Sequence, residues 1–226
     1  LFELINKKEL RVMSRTSTNK SGNKVANPVN YYISFGGDGV FSYWDKEAKQ
    51  KVTLGSDVEF VVMDTRSAIT GWNDDAKGRV YSNKVKSTVK EELTVRCGAA
   101  TLAKGLYADI KEKVKSVGGK FCIEVFALMK IDDEFQPVQI DLSGAALGCW
   151  MSFVDELGGP WAVYAFTIKT ALGEQKKKGS VKFFEVKFST DELTSEVNEM
   201  ANAFNDDMLQ PYLMSVTTQS PEEAAV

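Results

Sequence analysis

The stretch VEFVVMDTRSAITGW, residues 58–72, is rich in apolar and β-branched residues and reads as a strand. Its even-numbered positions put Arg66, Thr70 and Trp72 on one face, because successive strand side chains point to opposite sides. Working outward, comparable runs follow at Arg79 to Val85, Leu93 to Cys97, Phe121 to Lys130, Phe135 to Leu142, Trp161 to Lys169 and Val181 to Phe188. Gly, Asp and Asn turns separate them. So many short strands predict a β-dominated α+β fold built on a barrel or sandwich.

Helical spacing interrupts the strands in three places. Leu102, Leu106, Ile110, Val114 and Val117 share one stripe, and Leu147, Trp150, Met151 and Val154 share another within Ser143 to Leu157. A third helix is expected over Asp191 to Tyr212, where Ser189 and Glu192 have capping-box spacing and Pro211 marks a kink or an end. Before the first long strand, YYISFGGDGVFSYWD (31–45) surrounds glycines with aromatics, as either a packed hairpin or an exposed stacking segment. Its GGDG lacks the spacing of a phosphate-binding loop.

Composition narrows the chemistry. The chain has 226 residues, 43% hydrophobic and 26% charged, the balance of one ordered domain. With no histidine, the Ser-His-Asp and Cys-His nucleophilic arrangements and most transition-metal sites are excluded. Cys97, Cys122 and Cys149 are widely spaced and odd in number, so they read as reduced core residues. Asp132, Asp133 and Glu134, and Asp74 with Asp75, are the candidate carboxylate clusters, and both lie in expected turns. The expectation is therefore a protein that is not an enzyme, with no cofactor, no metal and no membrane span.

Charge divides the chain. Residues 1–189 carry all 28 lysines and arginines against 23 acids, whereas residues 190–226 carry eight acids and no base. A basic body with an acidic end points to a polyanionic partner. Residues 1–30 are expected to form a flexible arm, with 1–12 set apart as a leader or appended remnant. Residues 31–213 make the domain, and 214–226 an unstructured acidic tail.

Alternation then sorts aromatics that stand among charged neighbours. Trp72 falls with Arg66, Tyr81 with Arg79, Phe126 with Glu124, Trp161 with Lys169, and Phe183 with Glu185 and Lys187. These aromatics are the candidate stacking residues. Arg66, Arg79, Lys84, Lys86, Lys177, Lys178 and Lys187 are the candidate phosphate contacts, Lys177 and Lys178 on the tip of a basic β-hairpin finger. The alternative is that helices cover both faces and the same aromatics are core.

Several segments in order, ITGW (69–72), VYSNKV (80–85), LTVRC (93–97), KGLYADIKEKVKSVGGKF (104–121), LSGAALGCW (142–150) and KKKGSVKFFEVKF (176–188), resemble bacteriophage single-stranded DNA-binding proteins of the OB-fold type. The resemblance spans about residues 55–213. It implies a five-stranded Greek-key barrel with extra strands and helices, which coats single-stranded DNA in phage replication, recombination or repair in the cytoplasm of the infected bacterium. It also implies replication or recombination partners for the acidic end, although EEAAV (222–226) lacks the aromatic terminus of bacterial relatives. A strand-annealing protein, and a phage structural or host-interaction protein without DNA affinity, are the alternatives; the oligomeric state stays open.

Overall fold

The structure is a computed structural model that describes residues 16–18 and 24–218. A small antiparallel pair, β1 (Thr16–Thr18) and β2 (Lys24–Ala26), precedes the main sheet. That sheet begins with β3 (Tyr31–Phe35), β4 (Phe41–Asp45), β5 (Gln50–Gly55), β6 (Glu59–Asn73), β7 (Gly78–Ser82), β8 (Leu93–Cys97) and β9 (Ala100–Gly105). Helix α1 (Tyr107–Ser116), strands β10 (Gly119–Ile131) and β11 (Glu134–Ser143), and helix α2 (Gly144–Glu156) come next. A 3-10 turn (Ala162–Ala165) leads to β12 (Thr167–Lys178) and β13 (Val181–Asp191). Helix α3 (Ser195–Phe204), a π turn (Asn205–Leu209) and α4 (Gln210–Thr218) finish the described chain.

Strand β6 organises everything else. One of its edges pairs with β10 from Phe60 to Gly71. The other pairs with β12 at Glu59–Val61 and with β7 at Thr70–Asn73, so the sheet branches there. The main path runs β5-β4-β3-β11-β10-β6-β7-β8-β9, with β12 and β13 forming the branch. Among the described residues only β3 and β11 run parallel; the other pairings are antiparallel.

The sheet is mixed and open: β5 and β9 end the path without pairing to each other. This corrects the expected OB-fold-like five-stranded Greek-key barrel. Alternation along single strands is the same in a barrel and an open sheet, and only the pairing of the last strands distinguishes them.

One face of the sheet packs its core against α2 and the branch. Phe60, Val125, Ile140, Trp150, Phe153 and Val186 are buried there, and Trp150 meets Phe188 edge-on at 5.2 Å between ring centroids. Each such side chain contributes roughly 1.5–3 kcal/mol of burial. Farther along the same face, α1 places Ile110 and Val114 on Val80, Leu93 and Val95. Among the described residues the opposite face is covered at one end only, where Ala201, Leu209 and Leu213 from α3, the π turn and α4 cap Val61, Phe126 and Leu128.

Several expected boundaries shift. The first helix starts at Tyr107, because Leu102 belongs to β9. Strand β13 runs to Asp191, so Ser189 is extended and the helix cap is Thr194, whose side chain accepts from the Val197 N–H. The helix expected over Asp191 to Tyr212 begins at Ser195 and runs without a break through the π turn into α4, and the π turn lies directly before Pro211, which has no N–H to continue the α-helical ladder. Residues 214–218, assigned to the tail from sequence, continue α4. Most of the expected arm, and Glu222 and Glu223, lie outside the described residues. No helix among the described residues is long and apolar enough to cross a membrane.

Candidate functional site: a half-covered sheet face

Cross-strand partners share a side of the sheet, so the register builds the site row by row. The face capped by α3 and α4 begins with Asp64 beside Phe126 and Gln139. The next row is Arg66, Glu124, Asp141 and Ser34, followed by Ala68, Cys122 and Ser143. Then come Lys120, Thr70, Tyr81 and Arg96, and finally Trp72 with Arg79. A bulge at the Phe126/Ala127 step leaves Met63 as the extra residue of β6 and fixes which side Asp64 takes.

The covered end is a closed polar network. Arg66 donates to the Asp64 carboxylate at 2.8 Å, Gln210 donates to the same oxygen at 2.7 Å, and Lys86 lies 3.7 Å from it. Both members of the Arg66–Asp64 pair are buried, and Arg66 Nε has no hydrogen-bond partner. Phe126 is fully buried, with Lys84 Nζ 5.1 Å from its ring centroid. Lys84 also pairs with Glu124 and donates to Gln139 at 3.0 Å, while Gln139 donates to Asp141 at 2.7 Å.

Burial dominates the electrostatics of this middle region. It raises the Glu124 carboxyl above the usual range against the pull of Lys84, and it raises Asp141 against the Gln139 hydrogen bond. The Cys122 thiol is pushed up to about 12, first by burial and then by Glu124 and Asp141. Such a thiol is a core residue, not a nucleophile.

The far end is open. Trp72 is 54% exposed and Tyr81 40%, with its hydroxyl donating to the Gly98 carbonyl at 2.9 Å. Arg79 and Lys120 are exposed and Arg96 half-exposed beside them. Trp72 is held in place by main-chain contact. A Cβ on Gly71 would sit 2.1 Å from the Gly118 carbonyl oxygen, and one on Gly118, at φ +82°, would sit 2.0 Å from the Trp72 carbonyl oxygen. Only glycine permits that approach.

The structure therefore brings Trp72, Tyr81, Phe126, Arg66, Arg79, Lys84 and Lys86 to one face, in agreement with the alternation, but divides them. Phe126 is core, and Arg66 and Lys84 are engaged by carboxylates. The remaining candidates lie elsewhere. Lys177 and Lys178 are exposed near the tip of the β12–β13 hairpin, which turns at Gly179 with φ +61°, and Phe183 and Lys187 lie along β13. Trp161, read as a strand residue beside Lys169, instead caps the 3-10 turn and is 72% exposed.

Sequence reasoning missed Arg96, and it grouped Lys120 with Lys111, Lys113 and Lys115 around the Gly118-Gly119 turn and not with the candidate contacts; only register places both beside Tyr81. Asp132 and Asp133 form the two-residue turn of the β10–β11 hairpin, with φ of +53° and +63°. Asp tolerates that conformation, so the run has a local structural role. Among the described residues, no group of three or more Cys, Asp or Glu is placed to hold a metal ion.

The groove implied by the phage resemblance belongs to a closed barrel, which this chain does not form. Comparison with protein-family models, curated proteins and solved structures finds no match, and with the barrel absent the OB-fold, phage and single-stranded DNA-coating assignments are withdrawn.

Proposed function

We propose that the chain is a protein-docking module that takes an acidic segment of a partner protein on its open sheet end. The observation that carries this is the contiguous set Trp72, Tyr81, Arg79 and Arg96, displayed on one side of a sheet whose other side is backed by α1. Trp, Tyr and Arg are the residue types that concentrate binding energy in protein interfaces. Lys120 extends the positive charge, which selects an acidic partner.

Binding, not catalysis, is the activity proposed. The two carboxyls with raised pKa, Glu124 and Asp141, are engaged by Lys84 and Gln139. The hollow lined by Tyr164 and Asn198 and the one lined by Phe60 and Glu192 lie on other residues.

The test is fluorescence anisotropy with a labelled peptide rich in Asp and Glu, with a lysine-rich peptide and oligo-dT as comparators. The acidic peptide is expected to bind with salt-sensitive affinity. Trp72→Ala should weaken it by about 2 kcal/mol, roughly 30-fold, and Arg79→Glu by at least as much. Absence of acidic-peptide binding, binding indifferent to both variants, or tighter binding of oligo-dT through the same residues overturns the proposal.

A further inference from the structure

The helices that cover half of the sheet face also carry the acidic end of the chain. Glu196 and Glu199 on α3 and Asp206 and Asp207 in the π turn are exposed, on segments whose Val197, Ala201 and Leu209 pack toward the sheet. Residues 190–226 contain no base to neutralise them. The uncovered end is basic, with Arg79 and Lys120 exposed beside Trp72 and Tyr81. Among the described residues, neither these two bases nor the four acids enter an ion pair. Acids near the basic row lie outside it or are matched: Asp74 and Asp75 occupy the β6–β7 turn, Glu92 lies 3.7 Å from Lys104, and Glu124 pairs with Lys84.

A single copy cannot bring these two surfaces together. Val61 lies under α3 and Trp72 at the open end of the same strand, about 36 Å apart at about 3.3 Å per residue, well beyond the reach of a glutamate side chain. A second copy can supply the match. The helices form a raised layer about 10 Å thick on one half of the face and leave the other half a step lower. When two copies are laid face to face and end for end about a two-fold axis, step fits into step. The acidic layer of each then fills the lower, basic half of the other.

We infer that the chain forms a closed two-fold homodimer through this face, with Glu196, Glu199, Asp206 and Asp207 of one copy docked on Trp72, Tyr81, Arg79 and Lys120 of the other. The inference names the partner for the docking end and rests on the reading of that end as an acid-binding surface. The open half spans β10, β6, β7 and β8, about 19 Å at about 4.8 Å per strand, and the rows from Arg66 to Trp72 add about 20 Å of length. Each contact therefore covers on the order of 400 Å², and a two-fold interface makes it twice, for about 800 Å² per copy, the size of a stable complex. An open head-to-tail contact would bury half as much at each junction, in the range of weak encounters.

The experiment is sedimentation equilibrium of the full chain over a range of concentration and salt, with binding of the Asp- and Glu-rich peptide measured on the same samples. The expected result is a monomer–dimer equilibrium that ends at twice the mass of the chain and weakens with salt. Reversing the acids, Glu199→Lys with Asp207→Lys, and reversing the bases, Arg79→Glu with Lys120→Glu, should each weaken dimerisation by about tenfold or more. All four positions are exposed, so the fold is retained. Mixed in equal amounts, the two variants should form a heterodimer, because each reversed surface then meets its complement. A chain that stays monomeric at every concentration, a dimer indifferent to both reversals, variants that remain monomeric when mixed, or a ladder of species beyond the dimer overturns the inference. The acid-reversed variant, with its sheet end free, should still bind the acidic peptide. If it does while the natural chain is monomeric, the docking surface stands without the dimer; if it does not, the docking reading fails and the dimer with it.

Discussion

The two ends of one sheet face carry similar residues and have opposite fates. At one end Phe126, Asp64 and Arg66 lie under the helices formed by residues 195–218. At the other, Trp72 on β6 and Tyr81 and Arg79 on the neighbouring β7 share the same side of the sheet and stay exposed. An aromatic beside an arginine is therefore not a surface signature in itself. What decides is whether a later segment of chain lands on it. At the covered end the arginine needs a carboxylate, supplied by Asp64, and the aromatic becomes core.

Five substitutions, one of them made only in combination, test that contrast, in falling order of expected effect. Phe126→Ala should cost about 3–5 kcal/mol in urea denaturation, because it empties a fully buried site. Asp64→Leu should cost about 3 kcal/mol alone, since it strands Arg66, whereas Asp64→Leu with Arg66→Met should recover most of the loss. A double variant no more stable than the single one would make the pair a net contributor and not a compensated burial.

Asp141→Asn probes the boundary between the ends. Burial raises the folded-state pKa of Glu124 and Asp141, so their contribution to stability is complete below the ordinary carboxylate range. It is lost as pH rises through the raised values. Asp141→Asn removes one such group and relieves its push on Glu124, so stability should fall less between mildly acidic and neutral pH, by on the order of 1 kcal/mol. Urea midpoints across that window check it; a steeper fall would contradict the assigned cause. The smallest stability effect belongs to Trp72→Ala, expected within about 0.5 kcal/mol. A loss as large as that of Phe126→Ala would erase the distinction between the ends.

Alternation along residues 58–72 was sufficient to put Arg66, Thr70 and Trp72 on one side, and it did the same for Arg79 with Tyr81 and Glu124 with Phe126. It failed at Trp161, because a 3-10 turn occupies the start of that expected strand. The hairpin around Gly179 was legible from its glycine and basic run. Arg96 and Lys120 were not, since they join Tyr81 through pairings between strands far apart in sequence. The hollow between β6 and α3 was equally hidden: Met63, Tyr164 and Asn198 meet only where β6 is left unpaired.

The sequence by itself determined local matters: which residues alternate, where Asp and Gly turn the chain, the absence of histidine chemistry, and the split between a basic body and an acidic end. These follow from backbone sterics and side-chain type. Tertiary structure alone decided that the sheet branches at β6 and stays open, that α3 and α4 cover Phe126 but stop short of Trp72, and that Arg66 is spent on Asp64. Those outcomes depend on strand pairing and helix docking between distant segments, whose free energy comes from burial shared among them and has no local trace in the chain.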